Sequence, residues 1–417
     1  MSLSCFELGE QMLSVEAARA ALMTLVETPV AVEQVPLSRA YGRRLAVDIT
    51  ARINVPQNTN AAMDGVALAW PEAPLHDAHF PVIGDAVAGQ AFDGHVLPGQ
   101  CVRITTGAPM PSGTDTVIMR EQLIEEAHRV TVERPERVSV GQHVRQAGED
   151  IAEGDVALTA GTRLDAAGMG LAASLSYAEI TVYRRPKVAI FSTGNEVTPP
   201  GEPLPSAGIY DTNRFTLMGM LSEQGAEVVD LGILPDDPHT IERALAEAAT
   251  QCDLVITSGG VSVGHADYTR TALEALGRLA FWRVALRPGR PMACGQLGAS
   301  RTPFVGLPGN PVAVMVTFSQ FVVPLLQRLQ SQPPAAPRRL TAVAQTSLKS
   351  RLKRTDFLRG VYTCDDQGVL HVRSTGAQGS GILTSMVMAN CLIELGDDQA
   401  GAQPGEAVCI QPITSWQ

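Results

Sequence analysis

At about 100–200 residues per domain, a chain of 417 residues should hold two to four domains. Hydrophobic residues make up 45% and mean hydropathy is +0.07, which excludes disorder as the main state; aromatics are only 5%, so the cores must be built from Ala, Val, Leu and Ile. With 32 Lys and Arg against 43 Asp and Glu, the net charge of −11 disfavours phosphate-driven nucleic-acid binding.

The start, Met1-Ser2-Leu3-Ser4-Cys5, lacks a basic region followed by an apolar one and predicts no signal peptide. Seven scattered cysteines form no Cys-x-x-Cys pair, so neither a zinc site nor a disulfide framework is expected. A reduced, cytoplasmic protein is the expectation. Ser14 is a candidate N-cap for an amphipathic helix with Val15, Ala18, Leu22 and Leu25 on one face. Residues 54–146 then read as short β-prone runs divided by Gly and Pro, a small β-rich insertion. A second helical patch at 166–178 is expected to pack back on the first helix, giving a helical stem of residues 1–53 and 147–186.

Between residues 187 and 330, strand-like and helix-like runs alternate. Val188-Ala189-Ile190-Phe191, Val228-Val229-Asp230-Leu231, Leu254-Val255-Ile256 and Val305-Gly306-Leu307 read as buried strands. Asp211-Thr212-Asn213, Asp237-Pro238, Asp267 and Asn310-Pro311 open the intervening helices. This alternation predicts a parallel sheet covered on both faces. Residues 302–327 carry no charge, but Gly306, Pro308, Gly309, Asn310 and Pro311 break the run, so a buried strand, loop and helix fit better than a membrane span. A Pro-rich linker at 331–337 precedes a β-domain at 338–417.

Ligands of open parallel sheets bind beyond the carboxyl ends of the strands. Here those ends carry Ser192-Thr193-Gly194-Asn195-Glu196, Ser258-Gly259-Gly260-Val261-Ser262 and Leu307-Pro308-Gly309-Asn310, glycine loops that let backbone amides approach an anion. Glu196, Asp211, Asp236, Asp237 and Asp267 cluster in the same loops. Asp211, Asp237 and Asp267 are equally good N-caps, whereas Glu196 and Asp236 have no such local purpose. Several acids beside a phosphate site make sense if Mg²⁺ bridges them. Arg283, Arg287 and Arg290 surround a rigid Pro-Gly-Arg-Pro turn and suggest oxyanion binding. Asp64, in Ala-Met-Asp-Gly, reads by itself as a β-turn aspartate.

With residues 60–65, 103–109, 192–196, 210–214, 258–267, 288–291, 307–311 and 356–360 assembled, the chain resembles the MoeA/gephyrin E-domain family of molybdopterin molybdenumtransferases, over nearly its whole length. The resemblance implies a helical stem with a β-rich insertion, a molybdopterin-binding α/β domain and a C-terminal β-barrel. It implies a homodimer with active sites shared between subunits, and insertion of molybdate into adenylylated molybdopterin with release of AMP. Catalytic roles fall on Asp64, Glu196, Asp236 and Asp267, and Mg²⁺ ligation on Asp211, Asp236 and Asp267. Substrate binding falls on Thr106, Ser192, Thr193, Gly194, Ser258, Gly259, Gly260, Ser262, Arg283, Arg287, Arg290, Pro308, Asn310, Arg354 and Ser380. Arginines stand at 283, 287 and 290 where lysines are expected; they keep the charge and add a planar fork. Expected partners are molybdopterin adenylyltransferase and molybdoenzyme-maturation proteins, with no nucleic acid and no membrane. Two alternatives stay open: a molybdopterin adenylyltransferase, which shares the α/β module, and a non-catalytic scaffold of the same fold.

Overall fold

The computed structural model describes residues 12–71, 78–235, 237–259, 271, 274–332 and 337–413. Two compact units form, one from Gln34–Val182 and a larger one from Met1–Glu33 with Tyr183–Gln417. A short strand β1 (Met12–Leu13) leads into helix α1 (Val15–Met23). Ser14 caps that helix, its Oγ accepting from the Ala17 N–H at 3.1 Å and so satisfying an otherwise free amide. Val15, Ala18, Leu22 and Leu25 are buried in the main core of the larger unit, with Val316, Phe321, Leu325 and Leu329. The second helical patch belongs to the Gln34–Val182 unit. An apolar stripe names the face a helix must cover but not what covers it.

In the Gln34–Val182 unit the β-prone runs become β2 (Gly65–Leu68), β3 (His79–Ala86), β4 (Cys101–Ile104), β5 (Thr116–Met119), β6 (Leu123–Glu125) and β7 (Arg129–Val132). They form one sheet ordered β5-β2-β4-β3-β7-β6. Alternate residues face two cores: Val66, Leu68 and Cys101 join Trp70 and Phe80 on one side, while Ala67 and Val102 join Ala86 and Val96 on the other. Helix α2 (Ala166–Ser174) buries Ala172 with Leu45, Ile49 and Leu164 in a third core.

The larger unit continues with β8 (Lys187–Thr193), α3 (Asn213–Glu223), β9 (Glu227–Leu234), α4 (Pro238–Gln251) and β10 (Leu254–Ser258). Next come β11 (Gly277–Val284), β12 (Leu286–Arg287), β13 (Pro291–Leu297) and β14 (Thr302–Leu307). The sheet order is β1-β11-β13-β14-β10-β8-β9. Strands β14, β10, β8 and β9 are parallel, as the alternation predicts. Strands β11 and β13, however, form an antiparallel hairpin added to one side, so the sheet is mixed rather than wholly parallel. Val188 and Ile190 face the core containing α1 and α3, and Ala189 and Phe191 face Ile241 and Leu245 of α4. The period of two thus covers both faces with helices.

The uncharged stretch folds as β14, helix α5 (Pro311–Thr317), a π-helical turn (Phe318–Val322) and α6 (Val323–Leu329). Pro311–Leu329 is long and apolar enough to cross a membrane, yet 78% of its apolar window is buried inside the protein. It is a core helix here. Beyond the linker, β15 (Leu340–Ala344), β16 (Thr355–Cys364), β17 (Leu370–Ser374), helix α7 (Leu383–Met388), β18 (Cys391–Leu395) and β19 (Ala407–Pro412) complete the unit. The order β12-β16-β17-β15-β19-β18, with β18 pairing back on β16, closes a barrel.

Leu22 has no exposed surface, and α1 packs on the π-helical turn and α6. Leu22→Ala should lower folding stability by about 2–5 kcal/mol, measured by denaturant unfolding. A loss below about 1 kcal/mol would mean that α1 is not part of this core.

Candidate active site

Strands β8, β10 and β14 lie side by side, with Ser192 in register with Ser258 and Ser258 with Leu307. Their three loops therefore leave the sheet at one edge. Gly259 has φ +87°, a conformation suited to glycine, and its N–H donates to the Leu307 carbonyl at 3.1 Å. The Asn213 side-chain amide, from the start of α3, donates to the Gly309 carbonyl at 2.7 Å and ties a fourth loop to this edge. Ser258 Oγ and Asn213 Oδ1 are buried without a hydrogen-bond partner among the described residues. Orphaned polar atoms are costly in a dry protein, so their presence here fits a polar ligand.

The acids separate into distinct roles. Glu196 is exposed, and its carboxylate folds back over Gly194, where a Cβ would lie 2.7 Å from Oε2. Gly194 has φ +128° and accepts from the Val197 N–H, so this turn favours glycine for its conformation. Asp211 is buried and already engaged. Its Oδ1 accepts from Ser192 Oγ at 3.0 Å and the Arg214 N–H at 3.3 Å, and its Oδ2 from Arg214 Nε at 2.8 Å. Arg214 also pairs with Asp230. These bonds orient Ser192 and anchor α3. Asp237 is the N-cap of α4, accepting from the Thr240 amide at 2.9 Å and its hydroxyl at 2.6 Å, and these bonds hold its pKa below the usual carboxylate range. Asp236, Gly260, Ser262 and Asp267 lie outside the described residues. Among the described residues no three His, Cys, Asp or Glu side chains gather as a metal site.

A cleft of about 660 Å³ joins the strand ends to the barrel, lined by Gly259, Arg287, Arg290, Pro308, Asn310 and Ser380 among others. Gly289 packs against α5, where a Cβ would come within 2.5 Å of Thr317 Cγ2, so the Pro-Gly-Arg turn is pressed onto the helix. The Val312 N–H, in the first turn of α5, donates to the Ser380 carbonyl at 3.1 Å and docks the barrel loop there. Arg283 is exposed on β11 and lines no part of this cleft. Arg354 is also outside it, paired with Asp356.

Residue-type reasoning missed Arg359, Gln378 and Gly379. Arg359 is almost wholly buried behind the Ser380 loop, its Nε donating to Ser385 Oγ at 3.0 Å and its Nη2 to the Gly379 carbonyl at 2.9 Å. Burial, with Arg287 nearby, pushes its pKa down to about 10, so it remains charged at neutral pH. The available signal was an arginine set between Leu358 and Gly360 in the middle of a strand.

Within the Gln34–Val182 unit, Asp64 and Thr106 meet directly. Asp64 Oδ1 accepts from the Thr106 N–H and from its hydroxyl, each at 2.7 Å. Gly65 follows because β5 passes so close that a Cβ would sit 1.8 Å from the Ile118 carbonyl oxygen. The Thr106 bonds hold the exposed Asp64 carboxyl below its usual pKa. A depressed carboxyl stabilises the fold above its unfolded pKa and loses that contribution as pH falls through the folded value. Thr106→Val should raise the Asp64 pKa in an NMR titration, but only in part, because the Thr106 backbone N–H, the larger cause of the lowering, is retained. An unchanged pKa would mean that the amide bond alone sets it.

Three family profiles match in chain order. The MoeA N-terminal region (domain I and II) covers residues 13–176, a probable molybdopterin binding domain covers 189–328, and the MoeA C-terminal region (domain IV) covers 341–413. A molybdopterin molybdenumtransferase of Haemophilus influenzae is 42% identical over 404 residues, 96% of this chain and 99% of that protein. One of Nostoc is 34% identical over 91% of this chain and 88% of that protein. The crystal structure of a molybdopterin biosynthesis moeA protein from Pyrococcus horikoshii covers 96% of this chain and 100% of its own, at 28% identity and a TM-score of 0.83. Sequence and fold agree from the first helix to the last barrel strand, and the chain belongs to the MoeA family of molybdopterin molybdenumtransferases.

Proposed function

We propose that this chain inserts molybdate into adenylylated molybdopterin, releasing AMP and the finished molybdenum cofactor. The observation that carries the reading is the cleft between strand ends and barrel, where Arg287 and Arg290 converge with the loop amides. Molybdate is a tetrahedral dianion, and guanidinium forks with backbone N–H groups are suited to hold it. Relatives named molybdopterin molybdenumtransferase, matched along both N-terminal and C-terminal regions, support it over the adenylyltransferase alternative. Mg²⁺ belongs to this proposal. Glu196 with Asp236 and Asp267 would hold it through hard oxygen donors, and it would offset charge on the leaving phosphate. Asp211 belongs to the same expected set, and its oxygens already accept from Ser192 and Arg214.

Purified protein with adenylylated molybdopterin, molybdate and Mg²⁺ should release AMP only when molybdate is present. Consumption of ATP with molybdopterin would select the adenylyltransferase instead. Glu196→Ala should raise the barrier to AMP release by about 2–4 kcal/mol with little change in melting temperature. Normal turnover in that variant would remove Glu196 from the site.

The reading extends to a cytoplasmic homodimer, supplied by an adenylyltransferase and serving molybdoenzyme-maturation proteins, in which the partner subunit's Asp64 completes the site. Asp64 has one oxygen engaged with Thr106 and is exposed, which leaves Oδ2 available. Homodimers of Asp64→Ala and of Glu196→Ala should both be poorly active. Random mixing should restore roughly a quarter of wild-type activity, because half the dimers carry one intact site. No recovery after verified subunit exchange would place Asp64 outside a shared site.

A further inference from the structure

The Asp64 turn of the Gln34–Val182 unit has a cation beside it that lies outside the sequence motifs of the family resemblance. Arg120 directly follows β5, and its N–H donates to the Asp64 carbonyl at 3.0 Å. Its own carbonyl accepts from the Leu123 N–H across the 3₁₀ turn Arg120–Gln122. Gly65 permits the approach: a Cβ there would lie 1.8 Å from the Ile118 carbonyl oxygen and 3.1 Å from the Arg120 nitrogen. The backbone of Arg120 is thus fixed at both of its polar groups, next to the carboxylate.

The side chain is held along one edge. Arg120 Nε lies 3.1 Å from Glu125 Oε1, at the end of β6, and Arg103 Nε approaches Glu125 Oε2 at 3.7 Å. Neither Nη nitrogen of Arg120 donates a hydrogen bond to a described residue, and the side chain is 75% exposed. Such an exposed ion pair contributes little stability. It does aim the guanidinium, leaving the outer fork open to a ligand. The Thr106 bonds dominate the lowering of the Asp64 pKa, and the Arg120 charge adds to it. An ionised carboxylate facing a phosphate group repels it. A cation standing beside that carboxylate offsets the repulsion, and a guanidinium fork matches two phosphate oxygens.

We propose that Arg120 is a substrate-binding residue whose Nη fork takes the phosphate oxygens of adenylylated molybdopterin. The assignment rests on the proposed substrate and on Asp64 standing at its site. The site residues expected in this unit, Asp64 and Thr106, are an acid and a hydroxyl, and Arg120 supplies the cation they lack.

Isothermal titration calorimetry of the full chain with adenylylated molybdopterin, molybdate omitted, reads the contact without turnover. At a pH of about 8 Asp64 is ionised with or without Arg120, so its titration does not enter. Arg120→Gln should bind the substrate roughly ten- to a hundredfold more weakly than wild type, the usual weight of a charge-assisted hydrogen bond. Arg120→Lys should fall between the two, keeping the charge without the fork. Both variants should unfold at the wild-type temperature, because the backbone bonds of residue 120 are kept. Raising the salt concentration should shrink the gap between wild type and Arg120→Gln, as screening does for an exposed charge contact and not for a change of shape. Equal affinity of wild type and Arg120→Gln, or a gap that salt leaves unchanged, would overturn the contact and leave molybdate insertion standing. The expected binding pattern without molybdate-dependent AMP release would instead overturn molybdate insertion and keep Arg120 as a phosphate contact.

Discussion

A single buried carboxylate organises the region where this protein's positive charge converges. Asp356 has no exposed surface, and it sits between Arg354 and Arg287 at the first residues of β16. Its placement is enforced by backbone: β12 pairs parallel to β16 with Arg287 opposite Asp356, and the Thr355 N–H donates to the Ala285 carbonyl at 2.8 Å. Arg354 Nε and Asp356 Oδ1 form a close ion pair without hydrogen-bond alignment, while Arg354 Nη2 makes the hydrogen bond to Oδ2 at 3.1 Å. Removing a carboxylate from such a buried position leaves uncompensated cations and commonly costs about 3–5 kcal/mol. Here solvent reaching Arg287, whose side chain is 48% exposed, reduces that cost.

The barrel is held to the α/β core by a second polar chain. Arg19 on α1 donates to Gln320 in the π-helical turn, Gln320 donates to Gln411 of the barrel at 2.8 Å, and Gln411 donates to Glu394 at 2.8 Å. Arg339 closes the series with two 2.7 Å bonds to Glu394. The Gln320–Gln411 bond is buried and satisfied at both ends, so it fixes an orientation as well as contributing stability. The widened turn at Phe318–Val322 carries the Gln320 side chain at the junction of helix and barrel. The cleft needs this rigidity, since Gly259 and Asn310 come from one side of it and Ser380 from the other.

Motifs were informative where the cause was local. The Ser14 and Asp237 caps follow from bonds within three residues and stand as read, and the glycine turn at 194 is closed by a bond of the same span. Asp211 was ambiguous because two local explanations competed and one of its partners, Ser192, lies 19 residues away in sequence. Arg359 escaped notice because its importance comes from burial behind a loop some 20 residues further on. The β11–β13 hairpin escaped because buried antiparallel strands and parallel ones share the same apolar composition.

By itself, then, the sequence determined the alternation of strands and helices, the loops that carry glycine and acid, and a family resemblance spread along the whole chain. These are properties of periodicity, capping and turn chemistry, each acting over one or two turns of chain. Only the tertiary structure decided that α1 joins the α/β core, that Asp211 is bound to Arg214, and that the arginines at 287 and 290 line the cleft while Arg283 does not. Those outcomes depend on which surfaces meet, and the free energy of burying a charge or a stripe is set by partners that lie up to hundreds of residues away in the chain.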